Sequence, residues 1–156
     1  MSKAFTKDDG PDAPEIARHR APLPPGPNYV TAAGLRALRD ELAHLDRTPP
    51  DADPGGAAWR AELERRIATA VVASPPRDQS EVRFGAHVGL RHADGVTRAL
   101  TIVGVDEADA SVGRIAFVAP VARALLGRRL GDVVSIRAPG GDNEVEIVSV
   151  QYADAR

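Results

Sequence analysis

The chain has 156 residues, of which 43% are hydrophobic and 27% charged; these values are typical of a folded domain and exclude disorder along its whole length. It contains no cysteine, which excludes disulfides, thiolate metal sites and a cysteine nucleophile, and fits a reducing cytoplasm. The net charge of −2 disfavours a protein that holds nucleic acid mainly by neutralising phosphates, and no apolar stretch reaches the ~18–20 residues that cross a bilayer.

Residues 1–27 are predicted to form a disordered, proline-rich tail. The segment has six prolines, four basic and four acidic residues, and almost no apolar periodicity. Such a segment buries too little apolar surface to offset the entropy lost on ordering. The proline run at 22–27 predicts extended polyproline II structure, which serves either as a stiff linker or as a ligand for an aromatic groove.

Residues 28–76 are predicted to form a short helical hairpin. After a candidate N-cap at Thr31, one helix is expected over 32–46, and a second over 57–74. The apolar seams of the two helices are Leu35, Leu38, Leu42 and Leu45 in the first, and Trp59, Leu63, Ile67, Ala70 and Val71 in the second. The Pro/Gly-rich break between them makes the helices antiparallel, and at 1.5 Å per residue they span roughly 22 and 27 Å.

Residues 77–156 are predicted to form a small sheet domain. A hydrophobic period of two indicates strands, and Pro120 followed later by Gly127 indicates one short helix. The expected strands cover 82–90, 97–105, 114–118, 132–138 and 144–152, and the helix covers 120–126. Five strands and one helix predict an α+β domain with an antiparallel sheet.

Catalytic and metal-binding patterns are missing, so we expect no enzymatic activity, no cofactor and no bound metal. The four histidines lack the HExxH spacing, and no phosphate-binding loop or nucleophile elbow is present. Two acidic groups remain. Asp51 and Asp53 at the hairpin tip could share a divalent ion with another protein, because Mg²⁺ prefers oxygen ligands; the alternative is a solvated loop.

The second acidic group is a run of carboxylates between two predicted strands, beside an apolar edge. Such a surface suits a basic helix of a partner protein, whereas a solvated loop is again the alternative. The predicted partner-binding residues are Asp106, Glu107, Asp109, Pro120, Val121, Ala122 and Arg123.

The order of these segments resembles the GreA/GreB family of bacterial transcription elongation factors. The resemblance covers residues 29–152. It rests on the segments 29–35, 82–88, 102–109 and 120–127, together with Gly131-Asp132 and Pro139-Gly140-Gly141. It implies an N-terminal antiparallel coiled coil and a C-terminal domain with an FKBP-like fold. It also implies that this domain grips the rim of the RNA polymerase secondary channel, while acidic residues at the coiled-coil tip help to hold the second Mg²⁺ of the polymerase.

This chain departs from the family pattern at the hairpin. The helices are about half the family length, as in the relatives called regulators of nucleoside diphosphate kinase, and the family's Gly-Asp-x-x-Glu-Asn-Ala-Glu-Tyr tip is replaced by residues 51–56. A hairpin short by several turns loses ~5.4 Å per turn, and no side chain makes up ~20 Å. We therefore expect a cytoplasmic monomer that binds RNA polymerase and contacts nucleic acid only through the transcription complex. We expect it to modulate elongation without stimulating transcript cleavage.

Three alternatives remain open. The first is a cleavage factor that remains active through Asp51 and Asp53. The second is a peptidyl-prolyl isomerase, suggested by the FKBP-like fold and disfavoured because its pocket needs aromatic walls, whereas the sheet domain has only Phe84, Phe117 and Tyr152. The third is an interaction adaptor with no role at the polymerase.

Overall fold

A computed structural model describes residues 20–49 and 52–153 and shows a helical hairpin followed by a sheet domain. The predicted α+β class is confirmed. In chain order the elements are β1 (Asn28–Val30), α1 (Ala32–Arg47), α2 (Gly56–Thr69), β2 (Ala70–Val72), β3 (Ala86–His92), β4 (Thr97–Val103), a 3-10 turn (Ala110–Val112), β5 (Arg114–Ala116), α3 (Pro120–Leu125), β6 (Val133–Ala138) and β7 (Gly141–Tyr152).

The hairpin forms through one apolar seam, as its leucine spacing predicts. Thr31 caps α1 by accepting a hydrogen bond from the Gly34 N–H at 3.0 Å, and α1 ends before the prolines at 49 and 50. The seam buries Leu38, Leu45, Trp59 and Leu63, with Leu42 and Ile67 packed against them. The two helices therefore cover each other along most of their length.

Helix α2 is shorter than predicted, because it ends at Thr69 rather than at 74. The next three residues form β2, which pairs in parallel with β1. The β-branched residues Val71 and Val72 favour a strand, and their pairing with β1 satisfies backbone groups that a longer helix would have bonded internally. Ala70 and Val71 thus lie outside the helical seam.

The sheet domain contains one five-stranded sheet in the order β5-β4-β3-β7-β6. The predicted antiparallel sheet is in fact mixed, since β5 pairs with β4 in parallel. Helix α3 covers one face and buries Ala122 and Leu125 in the core. Strand β3 begins at Ala86 rather than at 82, although Val82 before it is fully buried.

Residues 20–27 of the predicted tail lie within the described part of the chain. Arg20 and Ala21 contact the hairpin through side-chain and carbonyl hydrogen bonds, so this end of the segment is held in place. Residues 1–19 lie outside the described part of the chain. Within residues 20–49 and 52–153, no helix is both long enough and apolar enough to cross a membrane.

Candidate functional site

Glu107 links the sheet domain to the start of the hairpin. Its Oε2 atom accepts hydrogen bonds from the backbone N–H of Thr31 at 3.0 Å and of Gly104 at 3.2 Å, and its Oε1 accepts from the Thr31 hydroxyl. In a capping box, a Glu at the third helical position bonds to the N-cap N–H. That position here is Gly34, so a carboxylate from a distant loop completes the cap.

Gly34 is required by this arrangement. A Cβ at this position would overlap the carboxyl group of Glu107, which lies directly against the first turn of α1. Gly104 is similarly confined, because a Cβ there would lie 2.6 Å from the carbonyl oxygen of Tyr29. Both glycines therefore permit a close approach between the hairpin and the loop that carries Glu107.

Asp106 lies in a buried ion pair beneath the hairpin. Its side chain is only 2% exposed and its Oδ1 accepts from Nη1 of Arg66 at 2.6 Å and from Nη1 of Arg20 at 3.3 Å. Arg66, on α2, is 3% exposed and also donates to Glu62 at 2.7 Å. These bonds join the hairpin to the sheet domain across a desolvated contact.

Asp106 and Glu107 are both predicted from the sequence to contact a partner. Both carboxylates are taken up by bonds within the chain, and a partner could reach Asp106 only by breaking a buried ion pair. The sequence pattern identified the acidic run but gave no sign that its first two members face inward. Ala122, also predicted to contact a partner, is fully buried in the sheet core.

The remaining predicted contact residues lie at the surface. Asp109, Pro120 and Arg123 are exposed, and Val121 is partly exposed. The hydroxyl and backbone N–H of Ser111 donate to Asp109 and hold its pKa below the ordinary value of 3.8, although slight desolvation opposes them. Asp109 is therefore a charged group at neutral pH. We call these four residues the docking surface: Asp109, Pro120, Val121 and Arg123.

A surface groove of about 310 Å³ begins at the docking surface and was not expected from the sequence. It runs between α3 and β6 and is lined by Pro120, Ala124, Ser135, Arg137 and Asp142. Alternation along β6 places Ser135 and Arg137 on its exposed side. The approach of α3 to this strand depends on tertiary packing, which strand periodicity does not reveal.

Three aromatic rings meet between β1 and the sheet domain. The ring centroids of Tyr29, Phe84 and Phe117 lie 5.6–5.8 Å apart, in tilted and edge-to-face arrangements. These rings pack against one another instead of forming the walls of an open pocket. Tyr152, the other aromatic residue of the sheet domain, donates its hydroxyl to the Glu81 carbonyl and accepts from the Arg83 N–H. The arrangement gives no support to the isomerase alternative.

The hairpin tip contains Asp53, whereas Asp51 lies outside the described residues. The Asp53 carboxylate lies back against the start of α2, where a Cβ on Gly56 would approach its Oδ2 to 3.0 Å. It borders a surface cavity of about 330 Å³ together with Leu45, Arg60 and other tip residues. No group of three or more His, Cys, Asp or Glu side chains suited to a metal ion occurs among the described residues.

Comparison with known proteins decides the family. The profile for the C-terminal domain of transcription elongation factors GreA and GreB matches residues 77–152. Transcription elongation factor GreB of Neisseria meningitidis is 35% identical over an alignment of 153 positions, gaps included, that covers 80% of this chain and 94% of the relative. The chain belongs to the GreA/GreB family. It is therefore a transcription elongation factor of the GreA/GreB type, as the sequence resemblance indicated.

Other family members are similar over different lengths. Transcription elongation factor GreA of Acidiphilium cryptum is 44% identical over 94 residues, which cover 59% of this chain and 60% of the relative. Among solved structures, the elongation factor GreA/GreB from Nitrosomonas europaea is 28% identical, with 82% of this chain and all of the other covered, at a TM-score of 0.45.

Proposed function

We propose that this GreA/GreB-type factor binds RNA polymerase at the rim of the secondary channel and modulates elongation without stimulating transcript cleavage. The observation that carries the proposal is the combination of a family sheet domain at residues 77–152 with a hairpin of only 16 and 14 helical residues. The sheet domain supports binding, whereas the hairpin limits what the bound factor can deliver.

The docking surface supports binding to a basic element of the polymerase. Asp109 is exposed and charged, and Pro120 and Val121 add apolar area beside it. Charge complementarity of this kind raises the association rate and weakens as salt increases. Asp106 and Glu107 contribute indirectly, by fixing the loop from which Asp109 projects.

The length of the hairpin argues against cleavage stimulation. Helices of 16 and 14 residues span about 24 and 21 Å, and a carboxylate must approach Mg²⁺ to about 2.0–2.1 Å to bind it. Asp53 does not extend beyond the tip, since its carboxylate packs on Gly56. Extending the tip loop toward a metal would also cost about 1–2 kcal/mol for each residue ordered.

Binding is tested by recovery of RNA polymerase on the immobilised full chain. We expect Asp109→Arg to reduce recovery and to flatten its dependence on salt, whereas Arg123→Glu makes the surface more negative and raises recovery. The matched control is Asp94→Arg, which reverses an exposed carboxylate in the turn between β3 and β4. Equal recovery by all of these variants would remove the docking surface, and no recovery by the unmodified chain would favour the adaptor alternative.

Cleavage is tested separately, with backtracked transcription complexes and an excess of the protein. We expect no stimulated cleavage of the RNA, and we expect competition with a full-length Gre factor for the same complexes. Asp51→Ala/Asp53→Ala serves as the control variant. Stimulated cleavage by the unmodified chain that disappears in this double variant would establish the cleavage-factor alternative.

A further inference from the structure

Arg20 contacts three separate elements of the molecule. One terminal nitrogen donates to Glu41 on α1, and the other lies 3.3 Å from Oδ1 of Asp106 in the sheet domain. The guanidinium carbon also lies 5.4 Å from the ring centroid of Trp59 on α2. A planar guanidinium with five donors suits this position, because it can bridge two carboxylates and stack on an indole at once.

Ala21, the residue after Arg20, is bound by Arg66 of α2. The carbonyl oxygen of Ala21 accepts a hydrogen bond at 2.8 Å from Arg66, whose other terminal nitrogen bonds Asp106. Trp59 in turn donates from its indole nitrogen to Glu41 at 2.8 Å. The N-terminal segment is therefore part of the same bonded network that joins the hairpin to the sheet domain.

We propose that residues 20–27 act as a strap that fixes the direction of the helical hairpin relative to the sheet domain. The strap begins at Arg20, which contacts the side of the hairpin, and ends just before Asn28, where β1 begins. Asn28 in turn donates to the carbonyl oxygen of Arg66 at the base of the hairpin. The inference concerns the chain alone and does not depend on the proposed function.

The positive charge of Arg20 is what links the hairpin to the sheet domain through the strap. Glu41 and Asp106 belong to different halves of the molecule, and the Arg20 guanidinium bridges them. Without Arg20, the two carboxylates lose this bridge, and Asp106 keeps only the Arg66 partner among the bonds described. One buried oxygen of Asp106, Oδ2, has no hydrogen-bond partner in the described structure. Losing the Arg20 bond to Oδ1 as well would leave this buried carboxylate still less well bonded, which destabilises the fold.

The strap is tested by a distance measurement between the hairpin and the sheet domain. The chain has no cysteine, so Ala58→Cys on exposed α2 and Val96→Cys on the exposed β3–β4 turn give one clean spin-label pair. Two truncations form a matched comparison: deletion of 1–19 keeps Arg20, and deletion of 1–21 removes it. We expect one narrow distance peak in the full chain and after the shorter deletion, and a broadened or split peak after the longer one.

A substitution in the full chain provides a second readout. Trp59 is the only tryptophan, so its fluorescence reports on its contact with Arg20. We expect Arg20→Glu to raise quenching of Trp59 by acrylamide and to broaden the spin-label peak while the circular dichroism spectrum is retained. Arg36→Glu, at an exposed arginine on α1, is the control. Unchanged quenching and an unchanged peak in Arg20→Glu would overturn the strap, whatever the truncations do.

Discussion

The two ends of the helical hairpin are held in very different ways. At its base, α1 begins at a cap completed by Glu107, and α2 is tied to Asp106 through Arg66, with both side chains of that ion pair nearly inaccessible to water. At its tip, α2 follows the N-cap residue Gly55, which makes no side-chain capping hydrogen bond, and the partly exposed pair of Arg60 and Asp46 is one of the polar contacts there.

This difference shows which contacts determine the orientation of the hairpin. Buried ionic and capping contacts fix how the hairpin leaves the sheet domain, whereas the tip is held by exposed interactions that contribute little. A tip of this kind can change in length and sequence without disturbing the base.

We expect the largest effect on stability from removing Arg66, the buried arginine at the base of the hairpin. Arg66→Met leaves Asp106 with a weaker partner at 3.3 Å and strips a hydrogen bond from Ala21, so we expect a loss of about 3–5 kcal/mol in unfolding free energy. Urea denaturation measures this loss. The control is Arg65→Met on the exposed face of the same helix, for which about 0–1 kcal/mol is expected. Equal losses in the two variants would contradict the special role of the base.

At Gly34 we expect a smaller effect on the unfolding free energy, and its sign depends on whether Glu107 is present. Alanine favours a helix by about 0.8–1 kcal/mol over glycine, but its Cβ would displace Glu107 and break hydrogen bonds worth about 1 kcal/mol each. Loss of the three bonds that Glu107 accepts outweighs this gain, so we expect Gly34→Ala to destabilise the full chain by about 2 kcal/mol.

The same substitution should become stabilising once the carboxylate is gone. In a Glu107→Ala background, Gly34→Ala meets no displaced carboxyl group, and the helix propensity of alanine then dominates. A double-mutant cycle from urea denaturation curves gives both values. The same sign in both backgrounds would show that Glu107 does not complete the cap.

A still smaller effect is expected at the tip. Arg60 pairs with Asp46 and donates to the carbonyl oxygen of Leu45 at 3.4 Å, but the two charged side chains are 41% and 51% exposed. We expect Arg60→Met to change the unfolding free energy by no more than about 1 kcal/mol. A loss as large as that of Arg66→Met, measured under the same conditions, would remove the contrast between the two ends.

The smallest expected effect is a pH dependence of stability that arises at Asp78 in the sheet domain. The hydroxyl and N–H of Ser80, with help from Arg129, lower the pKa of exposed Asp78 from 3.8 to about 2. A depressed pKa contributes stability above pH 3.8 that is lost as the pH falls through about 2. Asp78→Asn should therefore flatten the dependence of stability on pH in this interval, and denaturation at several pH values would detect the change. An unchanged slope would contradict the lowered pKa.

Local patterns in the sequence predicted most of the elements. The leucine spacing in α1, the cap at Thr31, the alternation in β3 and β4 and the proline at the start of α3 each act over a few residues. The end of α2 was predicted less accurately, because residues 70–72 gain more from pairing with β1 than from another helical turn. Their partners in β1 lie 42 residues earlier in the sequence, where no local pattern reveals them.

The sequence by itself determined the α+β class, the hairpin and the family resemblance, because hydrophobic periodicity and turn chemistry are local properties. Only the tertiary structure decided which acidic residues of this run are bonded within the chain and which is exposed. Asp106, Glu107 and Asp109 are similar in sequence context, yet contacts with Arg66, Arg20 and Thr31 turn the first two inward and leave the third exposed. A carboxylate gains or loses a buried partner through residues 40 to 86 positions away, and no local pattern carries that information.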